Sequence, residues 1–236
     1  MPAELEHNIV NLLYSVKGMI ESHLVSAEEG RFSEEKDALR HAEQVLRKVY
    51  SRTDRVLKIT KRLGLILNKD DKTLGKYSAV SLRVIWHQAL KLLEKEHLLE
   101  SIEIIERIPH GFPPIESEEN AMKEILYHLA KNAIQAMENR GKLIIRAQIA
   151  FSTQEEPYAV ITLADTGPGI RDEMLPNLFN PFFTTKSEKE GNGFGLYITK
   201  ALVLKNRGRI AVSSFEGFGT TFTLEFPILK LEKLPA

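Results

Sequence analysis

Four stretches of this sequence carry side chains able to act chemically. At 165–170 the chain reads DTGPGI, placing Gly167 and Gly169 just beyond Asp165. Glycine lets a turn pass through positive φ and leaves room beside a flat ligand, and a carboxylate there accepts a hydrogen bond from an exocyclic amine such as a purine carries. Aspartate and glycine also crowd ordinary turns, so this stretch alone leaves both readings open. At 190–200, EGNGFGLYITK presents Gly191, Gly193 and Gly195 ahead of a helical pattern. Backbone N–H groups at a helix start, with the positive end of its dipole, suit a phosphate. The spacing is not that of a P-loop, and no strand precedes it closely enough for a dinucleotide fingerprint. In the third stretch Glu124, His128 and Asn132 step by four and share a helix face, with Lys131 and Gln135 beside them. The Asn132 amide could hold Mg²⁺ while touching a phosphate, although a polar stripe opposite Met122, Ile125, Leu129, Ile134 and Met137 is also what a solvated face looks like. The fourth is EHNIVNLL at 6–13, where His7 is either a polar residue on the wet side of a helix or a nucleophile for a phosphoryl group.

The elements that must position these groups fall into two blocks, 1–70 and 71–236. Leu5, Ile9, Leu12, Val16 and Met19 form an a/d seam, and a second seam runs through Ala42, Val45, Val49, Val56, Ile59, Leu63 and Ile66, interrupted at Arg52. Gly30 can close the first helix and Ser33 can cap the second. The spacing predicts a helical hairpin whose core is completed either by a second copy, as a dimeric four-helix bundle, or by the rest of its own chain. In that register His7 points to solvent, whereas His23 falls on the seam. The polar run NKDDKTLGK (68–76) reads as a linker. Beyond it the pattern predicts a helix from Ser81 to about Glu96, a strand over 101–108 and a helix capped by Ser117 running to about Asn139. LIIRAQIAF and YAVITLA follow as adjacent strands, then a helix from near Gly195, and RIAVSS and TTFTLEF as closing strands. The expected class is α+β, with helices on one face of a mixed or antiparallel sheet.

Composition narrows the partners. The 236 residues hold 32 basic and 32 acidic side chains, so no net field favours nucleic acid or an anionic membrane. There is no cysteine, which excludes disulfides, thiolate metal sites and a cysteine nucleophile. No secretion signal or run of 18 apolar residues is present, and the expected location is cytoplasmic.

NAIQAM on a helix, DTGPGI after a strand, LFNPFFTTK, GNGFGL opening a helix and EGFGTTF before a strand occur in one order. That order and spacing resemble the N, G1, F, G2 and G3 boxes of histidine-kinase ATP-binding domains, over about residues 120–226. HNIVNLL likewise resembles the acceptor box of the dimerising hairpin in HisKA-type sensor histidine kinases, with His7, Asn11 and Leu13 at matching positions and Gly18 matching a glycine of its Leu-containing version. The resemblance implies a Bergerat-type α/β sandwich that binds ATP and Mg²⁺ beneath a mobile lid, joined to a homodimeric hairpin. Residues 1–70 would then serve dimerisation and histidine phosphotransfer, and 71–236 ATP binding. It implies Asn132 as the magnesium-holding residue, with Lys131 and His128 alongside it. Asp165 would read the adenine amine, with Gly167 and Gly169 as the adenine-side turn. Gly191, Gly193, Phe194, Gly195 and Leu196 match the phosphate-side box, Phe179, Phe182 and Phe183 the lid aromatics, Lys186 a phosphate contact and Thr220 the last box. The implied reaction is autophosphorylation of His7 from ATP, followed by transfer to an aspartate on a response-regulator receiver domain.

Two positions depart from the family pattern. An acidic residue commonly follows the acceptor histidine, but Asn8 stands here and can orient the ring without taking its proton. The position four before the metal-holding Asn is commonly Asn, and Glu in GHL-type ATPases of the gyrase, Hsp90 and MutL group; here it is His128. Those ATPases are one rival, and a non-enzymatic dimerising phosphotransfer or scaffold protein is another. With His7 so near Met1, the family's usual upstream signalling helix is expected to be missing or very short here.

Overall fold

The computed structural model describes residues 3–28, 37, 39–50, 53, 77–154, 156–181, 183–184 and 193–228. The chain divides into two compact units, Met1–Leu67 and Asn68–Ala236.

In the first unit, helix α1 runs Ala3–Glu28, and 39–50 is also helical. His7, Asn8 and Asn11 are α1 residues, while the side chains of 3–12 lie outside the described set, as do Gly30, Ser33 and the run 68–76. Val16, Met19, Ala42, Val45 and Val49, all members of the expected seams, are half-buried. A further apolar stripe was not apparent in the sequence pattern: Leu13, Ile20 and Leu24 on α1, and Leu39, Leu46 and Tyr50 on the second stretch, are exposed.

The second unit follows the order β1 (Ser78–Val80), α2 (Leu82–Lys95), β2 (Ile102–Arg107), β3 (Ile115–Ser117), α3 (Glu119–Ala136), β4 (Gly141–Phe151), β5 (Pro157–Asp165), a 3₁₀ turn (Asp172–Asn177), α4 (Gly195–Lys205), β6 (Arg209–Phe215) and β7 (Gly219–Pro227). Strands β2-β4-β5-β7-β6 form one mixed sheet, in which β2 and β4 are parallel and every other pair antiparallel. Parallel neighbours need a crossover, and α3 supplies it. Strands β1 and β3 form a separate two-stranded ladder, too short for any periodicity to announce.

Alternation decides which face is covered. Leu143, Ile145 and Ala147 on β4, Ala159, Ile161 and Leu163 on β5, and Phe222, Leu224 and Phe226 on β7 are buried, while the intervening residues are half-buried or exposed. Helix α2 buries Leu82, Ile85, Trp86, Ala89 and Leu93 at helical spacing. Helices therefore cover one face of the sheet, as the sequence pattern predicts.

The start of α3 differs from expectation. Ser117 ends β3 and does not cap the helix, because its hydroxyl donates to Asn206 Oδ1 at 2.9 Å. The same oxygen accepts the Glu118 N–H at 2.8 Å. Asn206 is itself buried at the end of α4, where its Nδ2 donates to Leu202 O at 2.8 Å. A side chain from a remote segment thus takes over the satisfaction of a helix-start donor.

Gly219 shows why the second closing strand needs a glycine. Its φ is +100°, and a Cβ there would lie 2.0 Å from the Asp165 carbonyl oxygen. Gly219→Ala is expected to destabilise the chain by about 3 kcal/mol or more, since backbone strain and a clash with backbone act together. A urea titration checks this, and an unchanged midpoint would show that β7 can move aside.

Candidate active site

The site is built on the ends of β5 and β7 and on the facing helices α3 and α4. Asp165 is the last residue of β5 and is 8% exposed. Its Oδ1 accepts N–H groups from Gly167 at 2.9 Å and Thr220 at 3.2 Å. Burial pushes its carboxyl above the ordinary range, and the two backbone donors oppose that rise. Both donors converge on one oxygen, so among the described residues Oδ2 remains for an incoming donor.

The glycines after Asp165 do unequal work. A Cβ on Gly167 would meet Asp165 Oδ1 at 2.9 Å, so the missing side chain lets its N–H approach the carboxylate. Gly169 has φ +74°, as the turn requires, but a Cβ there would lie 2.1 Å from Phe215 O. The space that the sequence pattern reserves for a ligand is, at Gly169, filled by the end of β6 instead.

Thr220 is buried, and its hydroxyl lies 2.9 Å from that of Ser214, its register partner across β6 and β7. Ser214 Oγ also accepts Ile170 N–H at 2.8 Å and donates to Gly219 O at 2.9 Å. Sequence reasoning passed over Ser214. A tight hairpin about 216–218 pairs it with Thr220, and that pairing was the available signal.

On α3, the stripe expected to be solvated is partly enclosed. His128 is 5% exposed, lies 2.8 Å through Nε2 from Glu124 Oε1, and packs edge-on to Tyr127. Asn132 is half-buried, and its amide makes no side-chain hydrogen bond among the described residues. Helix α4 begins beside it: a Cβ on Gly195 would stand 3.8 Å from Asn132 Nδ2. Gly193 takes φ +67° just before the helix, Phe194 is fully buried and Leu196 half-buried. Asn132, Gly193 and Gly195 are thus brought together, with Phe194 anchoring the helix start from beneath.

Lys131, expected alongside Asn132, is engaged by other groups. Its ammonium donates to Glu96 just past α2 and to Tyr127 Oη at 3.0 Å, and Tyr127 in turn donates to Glu96. Burial disfavours both charges, yet these hydrogen bonds outweigh it, holding the Glu96 carboxyl below its ordinary range and the Lys131 ammonium above. Phe179 packs edge-on to Phe222, with the Lys200 ammonium 5.3 Å over its ring. Phe182, Lys186 and Gly191 lie outside the described residues. His7, Asn8 and Asn11 belong to the other unit.

The donor set suits a nucleotide. An acceptor at the floor matches an exocyclic amine, a helix start matches phosphate, and an uncommitted amide oxygen matches a hard cation.

Residues 117–230 match the family described as histidine kinase-, DNA gyrase B-, and HSP90-like ATPase, and the five-stranded mixed sheet under helices is the Bergerat-type fold. Along its length the chain is similar to the sensor histidine kinase ZraS of Escherichia coli K12, 28% identical over 235 residues, which is 100% of this chain and 46% of that protein. It is 30% identical over 154 residues to the signal transduction histidine-protein kinase AtoS of the same strain, covering 65% of this chain and 24% of that one. In fold it resembles full-length ShkA, solved with AMPPNP, at a TM-score of 0.62 and 20% identity, covering 97% of this chain and 46% of that one. The chain spans less than half the length of the curated relatives ZraS and AtoS. The chain thus has a Bergerat-type fold over residues that match the histidine kinase-like ATPase family, and along its length it is similar to sensor histidine kinases.

Proposed function

We propose that this chain is an ATP-dependent protein histidine kinase that phosphorylates His7 and passes the phosphoryl group to an aspartate of a response-regulator receiver domain. The observation that carries this reading is the combination of one free carboxylate oxygen on buried Asp165 with a helix start facing the uncommitted amide of Asn132. Asp165 Oδ2 would accept from the adenine amine, and the backbone from Gly193 to Gly195 would face the phosphates. Asn132 would lend its amide oxygen to Mg²⁺, a cation that ordinarily completes its shell with phosphate oxygens and water. ATP supplies the transferable γ-phosphoryl group. In its neutral form the His7 imidazole forms the new N–P bond as the bond to the ADP oxygen breaks, and its ring proton leaves to water.

The exposed stripe of Leu13, Ile20, Leu24, Leu39, Leu46 and Tyr50 supports a homodimer, since a second copy would cover it. No helix among the described residues is long and apolar enough to cross a membrane. A cytoplasmic setting fits an ATP donor and a chain without cysteine.

Incubation with labelled ATP and Mg²⁺ tests the activity: the label is expected to become covalently attached in an acid-labile, base-stable form. Steady phosphate release without attachment would favour a GHL-type ATPase, and absence of nucleotide binding a scaffold. Asn8 cannot take the ring proton, so Asn8→Asp is expected to raise the attachment rate about tenfold or more. An unchanged or lower single-turnover rate would reject the missing base as the limitation.

A further inference from the structure

Three inward-facing side chains on adjacent strands, Asp165 on β5, Thr220 on β7 and Ser214 on β6, line one wall of the site. Ser214 stands directly opposite Thr220 in the ladder, and Thr220 N–H reaches the Asp165 carboxylate. The hydroxyl protons in this row can be assigned by requiring every group to be satisfied. Ser214 has one proton and two lone pairs. The Gly219 carbonyl, 2.9 Å away, can only accept, and it takes the proton. Ile170 N–H, 2.8 Å away, can only donate, and it uses one lone pair. The remaining lone pair faces Thr220 Oγ1 at 2.9 Å, so the Thr220 hydroxyl donates to Ser214. Thr220 is left with lone pairs alone to offer a ligand.

We propose that Ser214 is a positioning residue for base specificity: by engaging the Thr220 proton, it makes the wall of the site accept only. This rests on reading the site as one for an adenine nucleotide. Adenine presents an amine with two N–H groups to such a wall, whereas guanine presents a carbonyl oxygen at the same ring position. With Ser214 in place, that oxygen meets the lone pairs of Asp165 and Thr220 and finds no donor. Without the serine hydroxyl, the Thr220 O–H turns free and can donate to it.

Calorimetric titration of the full chain with ADP and with GDP tests the proposal. Ser214→Ala is expected to lower the ADP-over-GDP preference about tenfold, a step of one mispaired hydrogen bond, while Ser214→Thr, which restores a hydroxyl, keeps it. Thr220→Val, which leaves no hydroxyl to donate to the guanine carbonyl, is expected to bring no gain in GDP affinity, and adding Ser214→Ala to it to change nothing more. If Ser214→Ala fails to fold, Ser214→Cys, of similar volume and a weaker hydrogen-bonding group, replaces it under the same expectation. A preference unchanged in the variant, even with both affinities reduced, assigns Ser214 a structural part only and overturns the proposal. Wild-type protein that binds neither nucleotide overturns the adenine reading itself, and this inference with it.

Discussion

With His7→Gln, covalent labelling from ATP is expected to fall at least about 100-fold, because no other group replaces a missing nucleophile. Affinity for ADP, measured on the same preparation, is expected to stay within about twofold of wild type, since glutamine is a good helix former and the change lies in the other unit. The two readouts separate acceptor loss from misfolding. Retained label would move the acceptor elsewhere in the hairpin, and His41 on the stretch 39–50, exposed, would be examined first. Loss of both label and ADP binding would contradict the assignment of His7 as acceptor alone.

Asp165→Asn is expected to weaken adenine-nucleotide binding by about 100-fold, the scale of a lost charge-assisted hydrogen bond. An asparagine side chain can still accept the Gly167 and Thr220 N–H groups through its oxygen. Its NH₂ then replaces Oδ2 and opposes the adenine amine, donor against donor. Stability without nucleotide moves the other way. Burial holds the folded Asp165 carboxyl above its unfolded value, so the ionised form is disfavoured by folding. Its contribution to stability therefore falls as pH rises from the ordinary carboxylate range through the folded value. The amide of the variant has no charge to desolvate, so Asp165→Asn should melt higher than wild type near neutral pH, and the gap should close in acid. A melting temperature lower than wild type at neutral pH would show that the carboxylate is needed for packing and not only for the ligand.

Local pattern made the large elements legible. The strands at 102–107, 141–151 and 157–165 follow alternation, and α2 and α4 begin where a serine or a glycine cluster predicts. The placement of Asp165 at a strand end and of Asn132 on a helix was also legible, because the neighbouring residues settle the type of each element. The misreadings come from partners distant in sequence. Ser117 has the chemistry of a cap, but Asn206, 89 residues away, takes its hydroxyl. The partner that Lys131 takes, Glu96, lies 35 residues away and was likewise invisible along the helix. Gly169 was legible as a turn glycine, whereas the closeness of Phe215 O depends on how β6 returns to the sheet. The enclosure of His128 depends on the elements packed over α3, which periodicity along one helix does not reveal.

Asn206 joins the closing residues of α4 to the junction of β3 and α3 through three hydrogen bonds. The opposite end of α4 is the one that meets Asn132. A helix of 11 residues, about 16 Å long, is therefore tied at its close by Asn206 and seated at its start by buried Phe194. The left-handed backbone at Gly193 immediately precedes that start, so how the chain enters α4 turns on a single glycine.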